Sequence, residues 1–205
     1  MKQGLGTINE LAALLQDNER AKADYMTPVS NLWMANDASL TIDGTASDLV
    51  VRPTGHNQIA EYTSIPLPYY NRMLANEPTL LASNVNRWLE EKEKDRRMVR
   101  TLNGEVRALL SDRYKRIDNL EVAEVALKVL ADVPELRVVS CQVTESRMYI
   151  KAVSAKITAP DPGLRRVGSL IEAGVIITNS EIGHGAVGIK PFANFLACLN
   201  GMIRD

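Results

Sequence analysis

The sequence predicts an α+β fold, a mostly antiparallel sheet built from hairpins with helices packed on it. Three observations point there. Two apolar-containing runs, Met98 to Leu102 and Glu105 to Leu110, flank Asn103 and Gly104, a pair suited to a type I′ turn because both central residues need φ > 0. Several segments carry apolar residues at helical spacing behind capping residues. Strands and helices come in runs (α, ββ, ααα, ββ, α, ββ, loop, βββ) rather than in strict alternation, the pattern of an α+β domain.

Taken in order, Thr7 and Glu10 form a capping-box pattern ahead of Ile8, Leu11, Ala12, Leu14 and Leu15, so a helix is expected from about residue 8 to 23. Met26 to Met34, with Pro28 and the large apolar Leu32, Trp33 and Met34, reads as an extended arm or short strand. SLTID at 39–43 and DLVVR at 48–52 suggest a second hairpin around Gly44, ended by Pro53 and Gly55. Ile59, Ala60 and Tyr62 suit a short helix. Pro66 and Pro68 break it, Tyr69 to Leu74 begins another, and Leu80, Leu81, Val85, Trp88 and Leu89 keep helical spacing to about Lys94.

The turn at Asn103 and Gly104 sets the expected register of the central hairpin: Leu102 opposite Glu105, Arg100 opposite Arg107, Met98 opposite Leu109 and Arg96 opposite Ser111. Directly opposed like charges destabilise a sheet. Arg100 and Arg107 therefore call for a carboxylate, with Glu90, Glu91, Glu93 and Glu105 as the nearby acids, or for water, or for an anionic ligand.

Beyond the hairpin, Asp118 or Asn119 caps a helix carrying Leu120, Val122, Ala123, Val125, Ala126, Val129 and Leu130. LRVVSCQVT and RMYIKAVSA, separated by Glu145 and Ser146, alternate as another hairpin, with Arg147, Tyr149 and Lys151 on one side of its second strand. A solvated face explains such a side as well as a binding face does. APDPGLRRVG is a Pro/Gly loop with Arg165 and Arg166 at its tip, and the remainder reads as strands at about 171–179, 185–190 and 194–199. His184 sits between Gly183 and Gly185, and Asn200-Gly201 is a further candidate turn.

The 205 residues suit a single α+β domain. With 45% apolar and 24% charged residues, neither general disorder nor a membrane protein is expected. No apolar run is long enough to span a bilayer, and the opening MKQGLGTINE lacks a secretory pattern, which points to the cytoplasm. The net charge of −1 argues against bulk electrostatic binding of nucleic acid, yet between Arg87 and Arg116 ten cations stand against six anions. Cys141 and Cys198 stand alone and read as buried small apolar side chains. With only His56 and His184 beside them no zinc site is expected. GHGAVG lacks the lysine and following Ser or Thr of a phosphate loop, and Glu181 with His184 is the one candidate acid–base pair. Neither a catalytic residue nor a cofactor is assigned. Trp88, at helical spacing beside Leu89, reads as core, while Tyr69 and Tyr70 are open between core and base stacking.

IPLPYYNRML, LLASNVNRWL, MVRTLNGEVRALLSDRYKRIDN and GVIITNSEIGHGAVGIKPFANFLACLNGMI resemble the phage/plasmid-like family of mobile-element proteins, a domain of unknown function, over about residues 20 to 203. Members of that family commonly continue beyond the NGMI segment, so the resemblance implies a further C-terminal part. It also implies a bacterial host cell and a setting of phages and plasmids, where such genes sit among recombination and replication functions.

The expected function is binding of single-stranded DNA in recombination, annealing or replication, by a homo-oligomer. Arg96, Arg100, Arg107 and Arg113 would contact phosphates from the hairpin, with Lys115, Arg116, Arg147 and Lys151 as a second row and Tyr149 or Tyr70 stacking. The rival reading is a structural or anti-defence interaction protein that binds no DNA, favoured by the near-neutral charge and the apolar Leu32 to Met34 arm. An enzyme working through Glu181 and His184 comes last.

Overall fold

The elements run β1 (Gln3–Leu5), α1 (Ile8–Ala21), β2 (Lys22–Pro28), β3 (Leu32–Met34), β4 (Leu40–Ile42), β5 (Val50–Val51), α2 (Pro53–Thr63), α3 (Leu67–Asn76) and α4 (Pro78–Glu90). They continue as β6 (Arg96–Leu102), β7 (Glu105–Ser111), α5 (Asn119–Ala131), β8 (Leu136–Val143), β9 (Met148–Pro160), β10 (Leu170–Asn179) and β11 (Gly188–Leu196). The computed structural model describes residues 3–5, 7–160 and 170–196. Its antiparallel-rich sheets and packed helices make an α+β fold. The chain is described as two compact units, residues 1–15 with 117–205 and residues 16–116.

In the unit of residues 16–116, the strand order is β2-β6-β7-β5, and β3 pairs with β4 in a separate ribbon. The central hairpin forms as its turn requires, with Asn103 at φ 53° and Gly104 at φ 75°. One face of the sheet, through Val99, Val106 and Leu109, shares a core with Ile59, Tyr70, Leu81 and Val85 from α2, α3 and α4. Asn86, buried in α4, holds β3 by accepting from Met34 N–H at 2.8 Å and donating to Met34 C=O at 2.9 Å. The second hairpin expected around Gly44 does not form as a ladder. β4 pairs with β3 and β5 runs parallel to β7, leaving a single bridge between Leu40 and Leu49.

The unit of residues 1–15 and 117–205 is built on a five-stranded antiparallel sheet ordered β1-β8-β9-β10-β11. The expected capping box opens α1, with Thr7 N–H donating to Glu10 Oε2 at 3.0 Å and Glu10 N–H to Thr7 Oγ1 at 3.2 Å. A second capping box, Asp118 with Glu121, opens α5. Leu11 and Leu15 of α1 and Ala123 and Leu130 of α5 pack against Cys141, Met148, Ile150, Ala152 and Ile177 on one face of the sheet. The β8–β9 ladder slips between Val138 and Ser140, so Val139 is an extra residue and the side-chain alternation changes phase there.

The C-terminal region differs from the three strands expected. β10 forms as read, but the second and third strands are one, Gly188–Leu196, running through Pro191. Proline lacks an N–H and is tolerated on an outer strand, and β11 is the outermost of this sheet. Arg165, Arg166, Cys198 and the Asn200-Gly201 turn lie outside the described residues.

Candidate nucleic-acid interface

The hairpin arginines occupy different places from those the turn alone implied. β7 carries one extra residue. Arg100 lies opposite Ala108, Thr101 opposite Val106, and Arg107 is the bulge residue between them. Arg100 and Arg107 are therefore not facing partners. On its other side Arg100 lies opposite Asp24 of β2. Its Nε donates to Asp24 Oδ1 at 2.9 Å and its Nη2 to Asp24 Oδ2 at 3.0 Å, a bidentate pair. The acid is thus Asp24 and none of those considered from the sequence. Glu105 instead accepts from Arg52 Nε at 2.6 Å.

Exposure decides what these residues can touch. Arg100 is 0% exposed and Arg107 6%, so neither presents a guanidinium to a phosphate, and both are withdrawn as contact residues. Arg96, Arg113, Lys115 and Arg116 are exposed. Arg116 Nη1 also reaches Asp24 Oδ2, at 3.0 Å. Arg97, beside them, stacks 3.8 Å over the centre of the Tyr62 ring. Burial, with the Asp95 hydrogen bond adding, pushes the Tyr62 hydroxyl up to about 12.

The remaining three candidates, Arg147, Tyr149 and Lys151, belong to the unit of residues 1–15 and 117–205. Cross-strand partners share a face, so the register sorts the five-stranded sheet into two sides. Cys141, Ile150 and Ile177 line the side covered by α1 and α5. Ser140, Lys151, Ile176 and Lys190 form one row across the opposite side, and Gln142, Tyr149, Thr178 and Gly188 form the next. Among the described residues no helix of this unit covers that side.

Around Lys151 and Lys190 this face is exposed and basic with planar and apolar groups between its charges, while Val153, on the same side, is fully buried. Lys151 and Lys190 are exposed, separated by the half-buried Ile176, and lie about 10 Å apart as strands two spacings apart do. Tyr149 and Phe192 are both half-buried on this side. Phe192 lies against Gly174, where an added Cβ would come 2.6 Å from the ring. The acid here, Glu172, is 6% exposed and accepts from Arg137 Nη2 at 2.9 and 3.0 Å. Lys151 and Lys190 therefore set the sign of the exposed part.

The glycine turn at one end of this sheet is tied down by hydrogen bonds. Asn179 donates from Nδ2 to Ile117 C=O and Asn119 Oδ1, both at 3.0 Å, and Ser180 Oγ accepts from His184 N–H at 3.0 Å. Glu181 Oε1 accepts from Asn119 N–H at 2.8 Å, which commits this carboxylate to the start of α5. Arg147 donates from Nη2 to His184 C=O, so its guanidinium braces the turn. Gly185, at φ 134°, passes under that guanidinium, and a Cβ would come 2.8 Å from Nη2. His184 is exposed.

Lys190 and Phe192 are not singled out by the sequence, which places separate strands at 185–190 and 194–199 with Pro191 between them. The signal was the alternation through Lys190, Phe192 and Asn194, which an edge strand can carry across a proline. Trp88, expected in the core, is 40% exposed. Tyr69 is 47% exposed and Tyr70 is fully buried. Cys141 is buried, as expected of a small apolar side chain, and burial pushes its thiol up. Among the described residues no group of three or more His, Cys, Asp and Glu could hold a metal, and no helix is long and apolar enough to cross a membrane. No protein-family model, curated protein or solved structure matches the chain.

Proposed function

We propose that the protein binds single-stranded DNA on the open face of its five-stranded sheet, in recombination, annealing or replication of a phage or plasmid in the bacterial cytoplasm. One observation carries the reading: Lys151 and Lys190 flank an open row directly beside Tyr149, on the side of the sheet away from α1 and α5. An open sheet with cations for phosphates and rings for bases is a physical solution to binding a single strand, because every base has a face to stack. Arg96, Arg113, Lys115 and Arg116, exposed in the unit of residues 16–116, form a separate candidate strip for phosphates. Arg147 acts through the turn it braces. Membership of the phage/plasmid-like family rests on the quoted motifs and forms part of the same proposal.

The test is fluorescence anisotropy with a labelled single-stranded oligonucleotide at several salt concentrations. It compares the natural protein with a Lys151→Ala, Lys190→Ala double variant. Binding is expected to weaken with salt, and loss of two phosphate contacts should make the log–log slope shallower by about 1.4. No binding at low salt, or an unchanged slope in the double variant, would refute the proposal.

A further inference from the structure

On the open face of the five-stranded sheet, β9 and β11 both pair antiparallel with β10, so they run in the same direction and their rows stay in step. Tyr149 and Gly188 share one row, Lys151, Ile176 and Lys190 the next, and Gly174 and Phe192 the third, with no shift of register between them. Tyr149 therefore stands one row before Lys151, and Phe192 one row after Lys190. The two rings occupy opposite corners of a parallelogram, the two lysines the other corners, and Ile176 its centre. From Tyr149 to Phe192 is two strand spacings across, about 10 Å, and four residues along, about 13 Å, so the diagonal is about 17 Å. Gly174 sets the attitude of Phe192. A Cβ there would come 2.6 Å from Cε1 and 2.7 Å from Cζ, so the ring reaches from β11 across the bare backbone of β10. Seated on that backbone and half-buried, it keeps its outer side for a ligand.

We propose that one strand crosses this face obliquely, with a base on Tyr149, a base on Phe192, and the backbone between them passing over Ile176 with Lys151 on one flank and Lys190 on the other. This rests on the reading of the face as a site for single-stranded DNA and adds the course of the strand, its length and its indifference to sequence. Three nucleotide steps cover about 17 Å at about 5–6 Å each, well beyond the roughly 3.4 Å of a stacked strand. The strand is drawn out, and its bases leave one another to meet the rings. The footprint is then about four nucleotides, the low end for a single-strand site. Duplex is refused, because its bases are already stacked on one another. Phe192 carries no hydrogen-bonding group and stacks on any base, so sequences of equal length should bind within about threefold of one another.

The test is competition on the full chain at low salt, in which unlabelled oligothymidylates of rising length displace a long labelled strand and anisotropy reports the displacement. Affinity should rise steeply up to about four nucleotides and slowly beyond. A tetranucleotide abasic at its two inner positions should compete within about threefold of the intact one. One abasic at its two outer positions should compete at least about fivefold more weakly, having lost its stacking on the rings. Tyr149→Leu and Phe192→Leu, each checked for folding by circular dichroism, should each weaken the intact tetranucleotide at least about fivefold. Neither should change the salt slope, because neither removes a phosphate contact. The abasic probes need no variant, so the result stands even where a ring variant fails to fold. A long strand that binds through Lys151 and Lys190 but shows no break near four nucleotides, or inner and outer abasic probes that compete equally, would overturn the oblique course and leave the face a DNA site. A long strand that does not bind at any salt would overturn both.

Discussion

Replacing Asp24 with alanine tests the account of the central hairpin. The perturbation removes the carboxylate that Arg100 holds through two charge-assisted bonds, at 2.9 and 3.0 Å, with side-chain exposures of 0% for Arg100 and 9% for Asp24. A buried guanidinium deprived of its carboxylate pays desolvation without return, and breaking such a pair costs about 3–5 kcal/mol. Replacing both partners by apolar residues, Arg100→Met with Asp24→Leu, removes the stranded charge and should cost clearly less than Asp24→Ala alone. Arg116 also reaches Asp24, but its side chain is 51% exposed, so Arg116→Ala should cost about 1 kcal/mol or less. Urea unfolding followed by circular dichroism measures all three. If Asp24→Ala lies within about 0.5 kcal/mol of the natural protein, the range of an ordinary surface substitution, the buried-pair reasoning is refuted.

Other consequences can be read in the same unfolding assay. His56, 8% exposed and sharing a hydrogen bond of 2.8 Å with the Tyr70 hydroxyl, is held by burial at about 4, below its ordinary 6.5. The unfolded chain then takes up a proton below 6.5 that the folded chain refuses until about 4. Stability present above pH 6.5 should fall by about 2 kcal/mol by pH 5, a loss that His56→Leu removes. Gly174→Ala would place a Cβ 2.7 Å from Ala152 C=O as well as against Phe192, and should lower stability by about 1–3 kcal/mol. Glu181→Gln replaces a charged acceptor at the start of α5 with a neutral one. It should cost about 0.5–1 kcal/mol, and a larger or absent effect would contradict the structural role given to Glu181.

The readability of the fold followed how local each determinant is. The Asn103-Gly104 turn and the Thr7–Glu10 cap are settled within a few residues and appear where the sequence places them, and of the two caps it offered for α5 the structure uses Asp118, joined by Glu121. Partner choice is not local. The stretch around Gly44 has the composition of a hairpin, but β4 and β5 gain more from β3 and β7 than from each other. The bulge at Arg107 follows from a whole β-sheet seating Arg100 between Asp24 and Ala108, which no turn rule contains. In the candidate site, Tyr149 and Lys151 were legible because their alternation is strict. Lys190 and Phe192 were hidden by the proline between them. The open side itself depends on where α1 and α5 pack, a tertiary fact.

The most direct measurement is cross-linking of a photoreactive single-stranded oligonucleotide to the full chain, with the linked peptides mapped by mass spectrometry. Links to the peptides bearing Tyr149 and Phe192, lost in high salt, are the predicted result. No links, or links confined to residues 96–116, would contradict the claim that the open face of the five-stranded sheet is where DNA is held.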